Sequence, residues 1–262
     1  MKMKTTILQS SIIAMLLLGF TSLKAQISSP DGLNVSGDDK SKAIFCYQGD
    51  TFTLRATTDA GNGQTFDSFK WEREHNNDGS LTEVQNGSSQ TLANTGSLEP
   101  GYYTFWVTGH VTNDQGTNPD VVCSADPETF TVYVLPPLNV TVLPSGNNGN
   151  LLYCSNDLPD DLVLTANVVQ DPTHAVSEEF TYKYQWYKAE GIGTPQAITG
   201  ATNQTYTIND TNDATAGTFQ YSVIASLEIK DACQYNSLES ATNGSVDIIV
   251  TPKPTKPSIS IE

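Results

Sequence analysis

The strongest constraint on this chain's fold is that it says nearly the same thing twice. A first unit carries Cys46 and then Gly49-Asp50-Thr51-Phe52-Thr53-Leu54-Arg55-Ala56. A second carries Cys154 and then Asp160-Asp161-Leu162-Val163-Leu164-Thr165-Ala166. Both alternate apolar with polar residues, the period-2 pattern of a half-buried strand. It places Phe52, Leu54 and Ala56 on one face and Leu162, Leu164 and Ala166 on its counterpart. A tryptophan strand follows in each unit, Phe69-Lys70-Trp71-Glu72-Arg73 and Tyr184-Gln185-Trp186-Tyr187-Lys188. Next come Gly101-Tyr102-Tyr103-Thr104-Phe105-Trp106-Val107 and Gly217-Thr218-Phe219-Gln220-Tyr221-Ser222-Val223. Trp71 lies 30 residues before Gly101 and Trp186 lies 31 before Gly217. Each unit closes on another alternating strand, Thr129–Val134 and Ser245–Val250. No stretch beyond residue 25 reads as a helix. Such a chain is all-β and repeats one domain.

The N-terminus is a separate segment. Met1-Lys2-Met3-Lys4 is basic, Ile12–Phe20 is a nine-residue apolar run, and small and polar residues lead to Ala25. These are the three parts of a secretory signal, and the run is well short of the ~20 residues that a spanning helix needs. The chain therefore divides into a signal peptide at 1–25, one domain at 26–136 and a second at 137–251. Residues 252–262 form a proline-rich tail or the start of a truncated third unit, since Pro257-Ser258-Ile259-Ser260-Ile261-Glu262 resembles the opening Leu138-Asn139-Val140-Thr141-Val142 of the second. Formal charge is −16; losing Lys2, Lys4 and Lys24 with the signal takes it to −19. That field repels phosphate backbones, so nucleic acid and anionic membrane surfaces are poor partners. After signal cleavage no membrane-spanning segment is expected. An exported chain with four cysteines, Cys46, Cys123, Cys154 and Cys233, is expected to hold them as disulfides.

The repeated set of strand, tryptophan strand and Gly-x-Tyr/Phe strand resembles the B, C and F strands of an immunoglobulin-like domain. The resemblance implies two tandem immunoglobulin-like β-sandwiches, with Trp71 and Trp186 as core tryptophans. Tyr103 stands at the corner-tyrosine position and Phe219 replaces it in the second unit. The cysteines depart from the antibody pattern. One lies just before strand B and the other between F and G, an arrangement that resembles tandem Ig-like repeats of bacterial secreted and cell-surface proteins, adhesin-like and gliding-associated. What that resemblance implies is one bond inside each unit, Cys46–Cys123 and Cys154–Cys233; a Cys123–Cys154 bond across units is the alternative.

Catalytic chemistry finds little footing. His75, His110 and His174 sit in loop-like contexts beside no nucleophile motif. Glu72 and Glu74 share the outward face of the tryptophan strand, and Glu178-Glu179 form a second acidic pair, but exposed carboxylates on a small sandwich lack a cleft. No enzyme activity and no cofactor are expected; a hydrolase with a hidden site is the contrary reading. Asp78, Asp210 and Asp213 lie in oxygen-rich runs that are calcium candidates, although Asn, Asp and Gly are also what ordinary turns require. Trp106, Tyr102 and Tyr187 face away from the predicted core and are the candidate ligand-binding residues. The expected role is a non-catalytic spacer or adhesion module meeting a protein or glycan at the cell surface, with a carbohydrate-binding accessory module as the alternative. Six Asn-x-Ser/Thr sequons, at Asn34, Asn86, Asn139, Asn203, Asn209 and Asn243, would carry glycans only in a eukaryotic pathway.

Overall fold

The computed structural model describes residues 43–94, 98–113, 121–145, 151–155, 162–208 and 216–259. The signal segment, Asp210, Asp213, Asn34, Asn209 and the last three residues lie outside these. In the first unit the strands are β1 (Ile44–Cys46), β2 (Phe52–Arg55), β3 (Asp59–Gly61), β4 (Gln64–Thr65), β5 (Ser68–His75), β6 (Thr82–Gly87), β7 (Thr91–Asn94), β8 (Gly101–Asn113), β9 (Val121–Ser124) and β10 (Glu128–Leu135). The second unit has β11 (Leu138–Pro144), β12 (Leu152–Cys154), β13 (Val163–Gln170), β14 (Tyr182–Glu190), β15 (Gln196–Ala197), β16 (Thr205–Thr207), β17 (Gly217–Leu227), β18 (Lys230–Asn236) and β19 (Val246–Thr251). Helical structure among the described residues is confined to 3-10 turns, at Ala43 and over Ser237–Glu239.

The two units share one plan. The larger sheet runs β1-β10-β8-β5-β6 with β9 added to β8, and its repeat runs β12-β19-β17-β14-β15 with β18 added to β17. The opposing layers are β2-β7 and β11-β13-β16. In both units the short first strand joins the last strand in parallel, Cys46 opposite Leu135 and Cys154 opposite Thr251. These are immunoglobulin-like β-sandwiches in tandem. The period-2 pattern predicts their faces correctly: Phe105 and Tyr103 are buried in the first core, and Leu162, Leu164, Ala166 and Tyr221 in the second. Residues 252–259 carry no strand.

Both tryptophans are core residues, with different polar ends. Trp186 is fully buried and its indole N–H donates to the Asn203 carbonyl at 2.9 Å. Trp71 is buried too, yet its Nε1 has no hydrogen-bond partner. By register Asn203 matches Ser89, since Ala56 and Ala166 donate to the next residues, Gln90 and Gln204. The Ser89 carbonyl is instead taken by Gln85. Gly101, at φ +127, is required by the turn before it: a Cβ there would lie 2.2 Å from Asn76 Oδ1, which accepts the Tyr102 amide.

Replacing each tryptophan by phenylalanine removes similar volume, but only Trp186→Phe strands a bonded carbonyl. Trp186→Phe is expected to lower unfolding free energy by about 1 kcal/mol more than Trp71→Phe, read from urea unfolding curves. Equal losses would show that the Asn203 bond contributes nothing net.

Candidate functional site

The sequence-selected aromatic residues do not assemble into one face. Trp106 is half-buried on the outer side of β8, across from Glu72 and Thr129. Tyr187 is half-buried on the outer side of β14, across from Ser222 and Ala197. Those are one position per unit, on different sheets. Tyr102 corrects the expectation more sharply: it lies on the outer side as predicted, but only 3% of it is exposed. The cover is the second unit.

Three elements of the second unit build that cover. The β13–β14 loop is shaped by Asp171, whose carboxylate accepts the Thr173 amide at 2.8 Å, and by Gln170, which bonds Val176 N and Glu178 O. This loop presents His174 and Phe180. The β17–β18 hairpin presents Lys230, Cys233 and Tyr235. Pro136-Pro137 ends β10 and starts β11 directly, since proline offers no amide to continue a ladder. As a result Ala43, Ile44, Tyr102, Tyr133 and Leu135 of the first unit belong to the same buried cluster as the core of the second. Tyr133 packs edge-on against Tyr102, with ring centroids 4.4 Å apart, and faces Phe180 at 6.4 Å.

Polar groups rim this shared core. His174 packs tilted against Tyr47, with ring centroids 4.5 Å apart, and its Nδ1 lies 2.8 Å from Glu99 Oε2. With Nδ1–H donating to that carboxylate, Nε2 accepts the Tyr47 hydroxyl at 3.2 Å. Lys230 donates to the Ile44 carbonyl, pairs with Asp50 at 3.3 Å and lies over the Phe45 ring. The Tyr235 hydroxyl donates to the Pro136 carbonyl at 3.3 Å. A cleft of about 480 Å³ opens beside the junction, lined by His75, Asn76, Glu99, Tyr102, His174 and Glu178 among others.

The disulfide is the largest correction. Cys46 is bonded to Cys233, with their Cα atoms 5.5 Å apart, while Cys123 and Cys154 are free and exposed. The two intra-unit bonds are geometrically excluded. Cys46 sits where β10 meets the Gly101 end of β8, and Cys123 faces Val111 at the other end. Ten residues of extended strand separate those ends by roughly 33 Å, and a disulfide needs Cα atoms within about 7 Å. The second unit repeats this: Cys154 adjoins the Gly217 end of β17 and Cys233 the far end. The alternative Cys123–Cys154 bond is absent as well.

The other candidates resolve into structure. Glu74, expected outward beside Glu72, is 4% exposed because the Asn76–Gly79 turn folds back and Gly79 N donates to its carboxylate at 2.6 Å. Glu72 pairs with Lys70 at 2.7 Å. Asp78 Oδ1 accepts the Ser80 amide at 2.7 Å, which is turn chemistry. Among the described residues no group of three or more His, Cys, Asp or Glu could hold a metal. His75 and His110 lie in strands rather than loops, His75 stacked on Tyr103 and His110 against Ser124 Oγ. A second, apolar cavity of about 490 Å³ lies inside the first unit between Leu54, Phe66, Trp71, Phe105 and Phe130. It opens beside β2, whose counterpart β13 is flanked by β11, and belongs to the sandwich interior.

No protein-family model matches the chain, and no curated protein matches it. Among solved structures it is similar to the three N-terminal domains of the Highly Immunogenic Outer Capsid protein (Hoc) of bacteriophage RB49, at 18% identity and TM-score 0.32. It is also similar to the chicken CNTN1 FN1-FN3 domains, at 12% identity and TM-score 0.32. Each match covers 80% of this chain, which spans 56% and 62% of those two chains. At such scores the fold assignment stands on strand order and register alone.

Two measurements check the junction. Cys46→Ser/Cys233→Ser opens a closure spanning 187 residues and is expected to cost roughly 5 kcal/mol by the chain-entropy relation, read by guanidinium unfolding. An unchanged midpoint would show that the packed core alone holds the units. Burial, and then the Asp50 charge, pushes the Tyr235 hydroxyl up to about 12; burial does the same to Tyr103 and raises Tyr133 further. All three are held in the neutral form by folding, so their contribution is complete below pH ~10; that of Tyr235 and Tyr103 is lost as pH rises through 12, and that of Tyr133 at higher pH still. Unfolding free energy should therefore fall above pH 10, in step with late phenolate absorbance at 295 nm, and Tyr235→Phe should flatten that fall.

Proposed function

We propose that this chain is a non-catalytic extracellular spacer and adhesion module, exported by its N-terminal signal and acting as a stiff pair of Ig-like units at the cell surface. The observation that supports the reading is the junction. A free pair of beads would be joined by an open linker, whereas here two prolines, a shared apolar core and a covalent bond span the units. An apolar, covalently bonded junction suppresses the relative motion expected of neighbouring domains. A load-bearing or display role needs that stiffness.

Export is supported by the basic-apolar-small leader and by a disulfide. Among the described residues no helix is long and apolar enough to cross a membrane. The partner proposed is a surface protein or glycan. Since Tyr102 is covered, Trp106 and Tyr187 are left as the separate aromatic positions for such contacts.

The exposed thiols offer a direct test, one on each unit. With nitroxides on Cys123 and Cys154, pulsed electron–electron distance measurement is expected to give one narrow distribution. A broad one would mean a hinge and would overturn the spacer reading.

A further inference from the structure

Each unit carries two cysteines, and the internal junction uses only one from each. Register makes them equivalent in pairs. Cys46 faces Leu135, the residue after Val134, which faces Gly101; Cys154 faces Thr251, the residue after Val250, which faces Gly217. The next amides agree, Tyr47 N donating to Leu135 O and Ser155 N to Thr251 O. On the hairpins, Cys123 precedes Ser124, which faces His110, and Cys233 precedes Gln234, which faces Ser226. His110 and Ser226 each lie nine residues beyond their glycine, Gly101 and Gly217. The bond in the molecule thus joins a first-strand cysteine of one unit to a hairpin cysteine of the next. Cys154 is an unused first-strand cysteine at one end and Cys123 an unused hairpin cysteine at the other.

We propose that Cys154 of one molecule bonds to Cys123 of a second, so that the protein assembles head to tail into a linear disulfide-linked array.

The faces around the two thiols support this independently. Ile44 and Tyr133, paired beside Cys46, are covered at the junction to 2% and 0% exposure. Their counterparts beside Cys154 are also apolar but open: Leu152 is 55% exposed and Ile249 is 38%. Beside Cys123 on the opposite end Val122 is 57% exposed. A contact between unlike ends leaves one end of each kind open, so repetition extends the assembly rather than stopping at a symmetric dimer. Thr218 and Thr251 stand where the junction has Tyr102 and Leu135, and Ala125 stands where it has Tyr235. The contact between copies is therefore less apolar than the internal one and depends on its covalent bond.

The chemistry needs a disulfide donor, and oxidised glutathione suffices. A Cys154 thiolate attacks one glutathione sulfur and releases one glutathione thiolate; Cys123 of the second copy then attacks the Cys154 sulfur and releases the other. Two protein thiols are oxidised to one disulfide while one glutathione disulfide is reduced to two thiols. The proposal extends the spacer reading from two units to many. It is tested by covalent stoichiometry, whereas that reading is tested by the distance inside one molecule, so either can fail alone.

The test uses Cys123→Ser and Cys154→Ser chains, each with its Cys46–Cys233 bond verified by mass, in a glutathione redox buffer. Unmodified protein is expected to give a ladder on non-reducing gels that a reductant collapses to monomer. Either variant alone should stay monomeric. An equal mixture should give a dimer and nothing larger, at least about tenfold more abundant than in either variant alone, as a specific contact raises the effective concentration of its two thiols. Peptide mapping should find Cys123 joined to Cys154. A mixture that stays monomeric overturns the proposal, and so do variants that dimerise alone through Cys123–Cys123 or Cys154–Cys154 bonds.

Discussion

The covering of the outer face of one sheet by the next unit is the contact on which the rest of the molecule depends. Tyr102 and Tyr133 point away from their own sandwich core and would be a wet aromatic patch in an isolated domain. Phe180 and the β17–β18 hairpin bury them instead. Removing so much aromatic area from water supplies a driving force of several kcal/mol before any polar contact is counted. The Tyr47–His174–Glu99 chain and the Lys230 contacts then fix the angle at which the hairpin arrives. At that angle the Cα atoms of Cys46 and Cys233 are 5.5 Å apart, within bonding reach.

Seen from this junction, the cysteine spacing has a different meaning from the one that tandem repeats usually invite. The separations within the units, 77 residues from Cys46 to Cys123 and 79 from Cys154 to Cys233, reflect equal lengths of sandwich, because each pair marks the two ends of the same long strand. The ends of a strand cannot bond to each other, but the ends of successive units meet. A repeat whose units each offer one cysteine forward and one backward leaves one of each unused, whatever the number of units.

A good deal of this was legible in the residues. Strict alternation in Phe52–Ala56, Leu162–Ala166 and Gly101–Val107 requires sheet faces, and the matched tryptophan-to-glycine spacing requires two copies of one sandwich. Trp71 and Trp186 fall in the cores where the resemblance places them. Alternation also puts Tyr102 and Glu74 on the outer side, correctly. What alternation cannot supply is the fate of an outer side. Glu74 is buried by a local turn using left-handed Asn76 and Asn77, and Tyr102 by residues more than seventy positions away.

The sequence by itself therefore determined the sandwich, its duplication, the facing of the regularly alternating strands and the equivalence of the cysteines, since those follow from backbone periodicity and local register. Tertiary structure alone decided which cysteines bond, which outward aromatics stay in water and how the two units sit together. Those outcomes depend on where the ends of rigid sheets come to rest against each other. Such proximity arises from docking two surfaces distant along the chain, and no local pattern of residues encodes it.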